Sequence, residues 1–421
     1  MTACSPEART APLPQTTASD HCATGAASSG KLGPPSILVL TDYFLPGFKA
    51  GGVLRTLAYL TDRLGEEYRF KIVTRDRDLG DRLPYRLVEP GTWRQVGQAE
   101  VLYLPPAERR VSRIRRIIAA TPHDLLYLTS VFSPDFTIKP LLLRWLGLVP
   151  QRPTVLAAHG ELYPGALASK RAKKRLYLEL APRLGLYSGV VCQAPDSEGV
   201  RHVRRWLGRQ TDVEVGGILA LPSPSGSGER KRKRPGRLDL LYLSRISPHK
   251  NLAGALDMLR DVSCEVNFDI YGPADEDPGY WRKCNALIAT LPTNVRVRYM
   301  GSVAPDAVCD TMAAYDLLLL PTHGENFGHV ICEALTSGCP VLTSDRTPWR
   351  ELEREQAGWS LPIEAPDLFR RAIENCAAMD ESAHSRLRDG ARALAARRAS
   401  SSRAIEQHRT LFQRVLAAAA R

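Results

Sequence analysis

Residues 316–344, DLLLLPTHGENFGHVICEALTSGCPVLTS, read as strand, loop, helix and strand. A leucine run ends at Pro321, a polar loop carries Glu325, a helix is expected from about Gly328, and Cys339 and Pro340 open another short apolar run. Continuous apolar strands separated by a helix belong to a parallel sheet covered on both faces. Ligands of such sheets lie at the carboxyl ends of the strands, so Glu325 stands at a strand mouth, with Glu333 about a turn and a half into the helix. The helix start offers the amides of Phe327 and Gly328 and the positive end of the helix dipole. Two carboxylates beside them suit vicinal hydroxyls, as on a ribose or a hexose. A bare glutamate pair is more often solvated surface; the Asn-Phe-Gly insert and the Gly-Cys-Pro strand start favour the ligand reading.

The same rhythm runs outward from this stretch in both directions. ILVLT, FKIVT, DLLYLT, PTVLAA and SGVVCQA are short buried runs with helical segments between them, and LDLLYLS, VNFDIYG and VRVRYMG repeat the pattern later. A chain of 421 residues exceeds what one core usually supports, so two α/β halves with parallel sheets are expected to face a central cleft. Residues 221–237, LPSPSGSGERKRKRPGR, form a basic linker between a first domain, 36–220, and a second, 238–400. Residues 1–35 are rich in Ala, Ser, Thr and Pro and are expected to be a disordered tail.

The nine cysteines are scattered, with no C-x-x-C, which argues against disulfide and zinc frameworks and fits a reducing cytoplasm. The amino terminus lacks the design of a signal peptide, and no stretch reaches 18 apolar residues, so a cytoplasmic protein, at most peripheral to the inner face of the plasma membrane, is expected. The net charge of +12 is uneven: from 36 to 221, 28 Lys and Arg stand against 18 Asp and Glu. RRVSRIRRIIAA and SKRAKKRLYLEL combine basic and apolar residues on helices, a layout able to lie on an anionic leaflet as well as to be a solvated face. A nucleic-acid partner is not expected, because no recognised binding motif accompanies the KRKR run.

Three further motifs stand at strand mouths. In LLYLSRISPHKN, residues 240–251, Arg245 and Lys250 flank a loop that Asn251 closes as the cap of the next helix; a guanidinium and an ammonium there would grip a diphosphate. Gly51 and Gly52 open a helix after the first strand and let a phosphate approach the backbone, although their spacing is not that of a dinucleotide fingerprint. His159 follows the strand TVLAA directly. The D-x-D of Asp76 and Asp78 could hold a divalent metal in another architecture, but an arginine stands on either side of Asp76 and the pair lies away from the donor motifs. No metal is expected, and exchange of both for Asn is expected to be nearly silent.

Together these motifs resemble family 4 (group 1) retaining glycosyltransferases of the GT-B fold, over roughly residues 36–415, with E-NFGHVIC-E as the most specific element. The resemblance implies a nucleoside diphosphate sugar donor, Glu333 on its ribose, and Glu325 with Asn326, Phe327 and Gly328 on the transferred sugar. It further implies Arg245 and Lys250 on the diphosphate, Gly51 and Gly52 capping it, and His159 near the sugar's primary hydroxyl or the reacting centre. The chain departs from the family's common His-Asp form at His159 and Gly160. A segment from 401 to 421 would cross back to the first domain. The implied acceptor is a saccharide or a polyprenyl diphosphate-linked saccharide of surface polysaccharide biosynthesis, with no cofactor. A nucleotide-sugar epimerase or hydrolase, or a basic nucleic-acid-binding protein, are the alternatives.

Overall fold

Fourteen strands form two sheets in the computed structural model, which describes residues 33–163, 167, 171–217, 232–274, 277–304, 307–325, 327–399 and 402–419. The tail expected for residues 1–35 lies outside them as far as residue 32, as do residues 221–231 of the expected linker.

The first sheet holds β1 (Ser36–Leu40), β2 (Arg69–Arg75), β3 (Trp93–Val96), β4 (Ala99–Leu104), β5 (Leu125–Thr129), β6 (Thr154–Ala157), β7 (Val190–Ala194) and β8 (Val213–Val215). Their order is β3-β4-β2-β1-β5-β6-β7-β8, all parallel except β3 against β4. The second sheet holds β9 (Arg237–Leu243), β10 (Glu265–Tyr271), β11 (Val295–Gly301), β12 (Leu317–Leu320), β13 (Val341–Ser344) and β14 (Gly358–Leu361), in the order β11-β10-β9-β12-β13-β14. The central strands β1, β5, β6, β12 and β13 are buried along their whole length, as continuous apolar runs require between two helical layers.

Strand order reverses at β1 in the first sheet, between β2 and β5, and at β9 in the second, between β10 and β12. At such a reversal the loops after neighbouring strands diverge to opposite faces and leave a crevice. The Thr41–Gly51 segment leaves β1, the Ser244–Asn251 segment leaves β9 and the Pro321–Gly328 segment leaves β12. The expected donor-binding residues that are described are therefore on switch-point loops or on the helix that follows one.

The last helix, Ser402–Ala419, packs on the first sheet although the chain has just left the second. Phe412 meets Tyr68 and Tyr127 edge-on at 5.4 and 5.6 Å, and Leu411 and Val415 are buried in the same cluster. His408 lies 2.9 Å from the Gln193 amide, and Arg409 donates to both oxygens of Glu67 at 2.7 Å. One residue of the KRKR run is not solvated: Lys233 is buried, and its ammonium donates to the carbonyls of Arg234 and Ala377 at 3.1 and 3.2 Å and to that of Arg237. The described cysteines are free.

Because Phe412 fills the face of the first sheet from the far end of the chain, Phe412→Ala should destabilise the protein by about 3–5 kcal/mol. Chemical denaturation would read this as a lower midpoint, and an unchanged midpoint would mean that the terminal helix adds nothing to that core.

Candidate active site

The loops after β9 and β12 are laced together. His323 N donates to His249 O at 2.9 Å, Thr322 Oγ1 to the same carbonyl at 3.2 Å, and Asn251 Nδ2 to Pro321 O at 3.0 Å. The His249 ring nitrogen Nε2 lies 2.8 Å from Gly324 O. Asn251 takes a left-handed backbone with φ 58° and accepts from Gly254 N at 3.1 Å, which is the cap the sequence led us to expect. This lacing brings Lys250 against Glu325, and the two form an ion pair with both side chains largely out of water. Arg245 stands exposed on the same loop.

Gly328 precedes the helix His329–Thr336 with φ 76°, the left-handed region where a Cβ is strained, and its Cβ would also press on Ile331 at 3.0 Å. The indole N–H of the fully buried Trp349 donates to Phe327 O, which fixes the turn into the helix. Gly328 has no side chain to cap this helix, whose positive dipole end lies at the cleft. Glu333 is its fifth residue and is paired across the cleft with Arg55, from the helix Gly52–Leu64 of the first sheet. Asn326 lies outside the described residues.

Opposite, Gly51 holds φ 80° and begins the Gly52 helix, again with no side-chain cap. Gly52 is pressed against the imidazole of His329: a Cβ there would lie 2.7 Å from Cδ2. The second glycine is thus needed for contact between the halves. His329 Nε2 is 3.5 Å from Thr56 Oγ1, and its ring meets Phe327 edge-on at 5.0 Å. Burial pushes its pKa down to about 3, and the charges of Arg55, His159 and Lys250 push the same way. His159 follows β6 with φ 43°, and burial lowers it to about 4, with His408 adding to the effect.

The structure therefore gathers Gly51, Gly52 and His159 from the first sheet, and Lys250, Glu325, Phe327, Gly328 and Glu333 from the second, around His329. The two carboxylates do not share one partner: Glu325 faces Lys250 and Glu333 faces Arg55. Sequence reading missed His329 and Arg55. His329 stands inside the quoted motif, and Arg55 is three residues past Gly52, where a single arginine on an amphipathic helix reads as solvent-facing. It also missed Glu161, two residues after His159. The Glu161 carboxylate accepts from Ser130 Oγ at 2.8 and 3.0 Å and from Val131 N at 2.6 Å, and burial raises its pKa.

The D-x-D pair has a different task from the one weighed in sequence. Asp76 is bound by its neighbour Arg77, while the buried Asp78 accepts from Phe48 N at 2.7 Å, Lys49 N at 3.0 Å and Leu79 N at 2.8 Å. Asp78 thus anchors the loop that leads into Gly51 and Gly52. Among the described residues, no group of three or more His, Cys, Asp or Glu is placed to hold a metal.

Two parallel-dominated α/β sheets with their switch points on one cleft make up the GT-B fold. Residues 228–393 match the family model described as glycosyl transferases group 1, in keeping with the group 1 resemblance read from the sequence. A phosphatidyl-myo-inositol mannosyltransferase of Mycobacterium tuberculosis is 30% identical over 181 residues, 40% of this chain and 46% of that protein. The aligned stretch spans about half the length of that relative. Of solved structures, sucrose-phosphate synthase from Thermosynechococcus elongatus superposes with a TM-score of 0.69 at 15% identity, covering 91% of this chain and 100% of that one. Anabaena Alr3699/HepE, solved with UDP and glucose, superposes at 0.65 and 19% identity, covering 90% and 99%.

Exchange of Asp78 is accordingly not expected to be silent. Asp78→Asn replaces one acceptor oxygen with a donor facing backbone N–H groups, and should destabilise the loop by about 1–3 kcal/mol. Hydrogen exchange at Phe48 and Lys49 should accelerate, with β9–β14 amides unaffected; unchanged exchange at both amides would remove Asp78 from this role.

Proposed function

We propose that the protein is a retaining glycosyltransferase, moving a sugar from a nucleoside diphosphate sugar to an acceptor hydroxyl. The observation that carries this reading is the ion pair of Lys250 and Glu325 at the β9 and β12 switch point, facing the Gly51 and Gly52 turn with His329 between. A cation and a carboxylate that neutralise one another when no donor is bound can each take a donor group of matching charge. Lys250 and Arg245 bind the diphosphate, and Glu325, released, accepts from hydroxyls of the transferred sugar. Glu333 accepts from the ribose hydroxyls. The uncapped starts of the Gly52 and His329 helices add partial positive charge where the leaving group gains negative charge.

In the reaction the bond from the anomeric carbon to the phosphate oxygen breaks as the acceptor oxygen attacks from the same face. The acceptor proton passes to the departing diphosphate, so charge and protons balance without a metal. With an imidazole held neutral at pH 7, His329 can fill the space beside the diphosphate without competing as a cation. The relatives named mannosyltransferases and the UDP complex of the Anabaena protein support this donor class.

The acceptor is read as a lipid-linked saccharide of surface polysaccharide biosynthesis, and the helix Arg171–Arg183 supports a membrane-facing first half. Leu176, Leu180 and the following Leu184 are exposed at four-residue spacing, while Leu178 and Ala181 turn to the core. Lys173, Arg175 and Arg183 are exposed on the same helix, whereas Lys174 lies over the Phe132 ring at 4.9 Å. The helix Val111–Ala120 differs: Ile114, Ile117 and Ile118 are buried, and Arg115 and Arg116 are exposed with a single large apolar residue, Val111 at its start. Among the described residues no helix is long and apolar enough to cross a membrane.

Lys250→Ala should lower turnover about 10²-fold to 10³-fold, the scale for one preorganised charge stabiliser, while chelation of divalent ions leaves the wild type active. Strong chelator inhibition reversed by manganese would overturn the metal-free mechanism. Product formed from donor without any acceptor would favour the epimerase or hydrolase alternative.

Lys173→Glu combined with Leu176→Ser should abolish co-sedimentation with anionic vesicles, because each lost charge weakens binding by about 1 kcal/mol and each lost leucine by about 1.5–3 kcal/mol. A wild-type protein that never co-sediments would remove the membrane from this account.

A further inference from the structure

Arg55 stands three residues past Gly52 in the GGVLRT stretch, where the sequence assigned it no role, yet it is the partner of Glu333, the residue proposed for the donor's ribose. It lies in the first turn of the Gly52–Leu64 helix, its N–H donating to Gly51 O at 3.3 Å, so it rides on the same turn as the glycine pair. Its guanidinium is paired with Glu333 from the facing helix, with side-chain exposures of 24% and 14%. Burial lowers its pKa below the usual arginine value, but the guanidinium stays charged, so it is a desolvated cation that is costly without a partner. From the facing half Glu333 pairs with it, and His329 and Cys309 lie within electrostatic reach.

A carboxylate that has taken a guanidinium has little capacity left for a pair of vicinal hydroxyls. A nucleoside entering this site must therefore displace Arg55 and strand a largely buried cation, which is costly. A nucleoside diphosphate brings a replacement anion to the Gly51 and Gly52 turn in the same event. Guanidinium binds phosphate in the same forked geometry as carboxylate, so the exchange conserves the kind of bond Arg55 makes.

We propose that Arg55 is a diphosphate ligand that Glu333 holds in reserve: donor binding exchanges the Arg55 to Glu333 ion pair for Glu333 on the ribose and Arg55 on the phosphates. This rests on the donor reading above and adds to it a reason for discrimination. Nucleosides without phosphates are rejected by the site's own ion pair, and the pair is broken only by a ligand able to satisfy both of its members.

The test is calorimetric titration of wild type, Arg55→Gln, Arg55→Lys and Glu333→Gln with UDP, GDP, uridine, guanosine and inorganic pyrophosphate. For the base that the wild type binds, Arg55→Gln should weaken the nucleoside diphosphate about tenfold or more, the scale of one charge-assisted hydrogen bond, while the nucleoside binds equally or more tightly. Arg55→Lys should recover part of the diphosphate affinity. Glu333→Gln should weaken the nucleoside but strengthen pyrophosphate, because Arg55 is then released. These opposite signs separate ligand exchange from a structural role, which would weaken both ligands together. Parallel losses in Arg55→Gln, or no change in either, would overturn the exchange while leaving the donor reading intact. A wild type that binds no nucleoside diphosphate, with ADP and dTDP tried beside UDP and GDP, would overturn the donor reading and the exchange with it.

Discussion

The hydrogen bonds that tie the His249–Asn251 turn to the Pro321–Gly324 segment hold the rest of the site in place. They close the crevice where the second sheet reverses its strand order, and they do so with backbone carbonyls, a threonine, an asparagine and a histidine rather than with charges. Lys250 and Glu325 are carried on this frame and meet because the frame sets their separation. The same frame leads through Phe327, whose carbonyl takes the Trp349 indole N–H, to Gly328 and the start of the His329 helix. Loss of the frame would move the cation, the carboxylate and the helix end together.

Charge balance gives the site its second property. Arg55 and Lys250 are each matched by one glutamate, and both histidines at the centre are held below their ordinary pKa by burial. Desolvated cations are expensive unless paired, and the pairs keep the empty cleft stable without filling it. A diphosphate and two sets of hydroxyls offer all four groups new partners of the right kind. In the proposed exchange, binding swaps interactions instead of creating charges, which would favour ligands carrying phosphates and sugar hydroxyls at once.

Much of this was legible in the sequence, and the parts that were not share a cause. Runs such as DLLLLP and ILVLT announce themselves because strands buried on both faces must be apolar throughout. The edge strands Trp93–Val96 and Gly358–Leu361 escaped notice, being short, less buried and bordered by polar residues. Glu325, Glu333, Lys250 and the glycine pair stand at strand mouths, and strand mouths can be read from local pattern. Arg55, His329 and Asp78 take their meaning from contacts between distant segments: Gly52 to His329, Arg55 to Glu333, and Asp78 to the amides of a loop 30 residues earlier. Lys233 is the reverse case, a residue of a run that reads as solvated yet folds against three carbonyls. No spacing rule carries that information.

The central claim is that the donor's diphosphate lies between the Gly51 and Gly52 turn and Lys250, with His329 beside it. A crystal structure of the protein with the nucleoside diphosphate it binds tests this most directly. The account predicts phosphate oxygens within hydrogen-bond distance of the Gly52 amide and of Lys250 Nζ, and Lys250 no longer paired with Glu325. A nucleotide seated elsewhere, or a bound nucleotide with the Lys250 and Glu325 pair still intact, would contradict it.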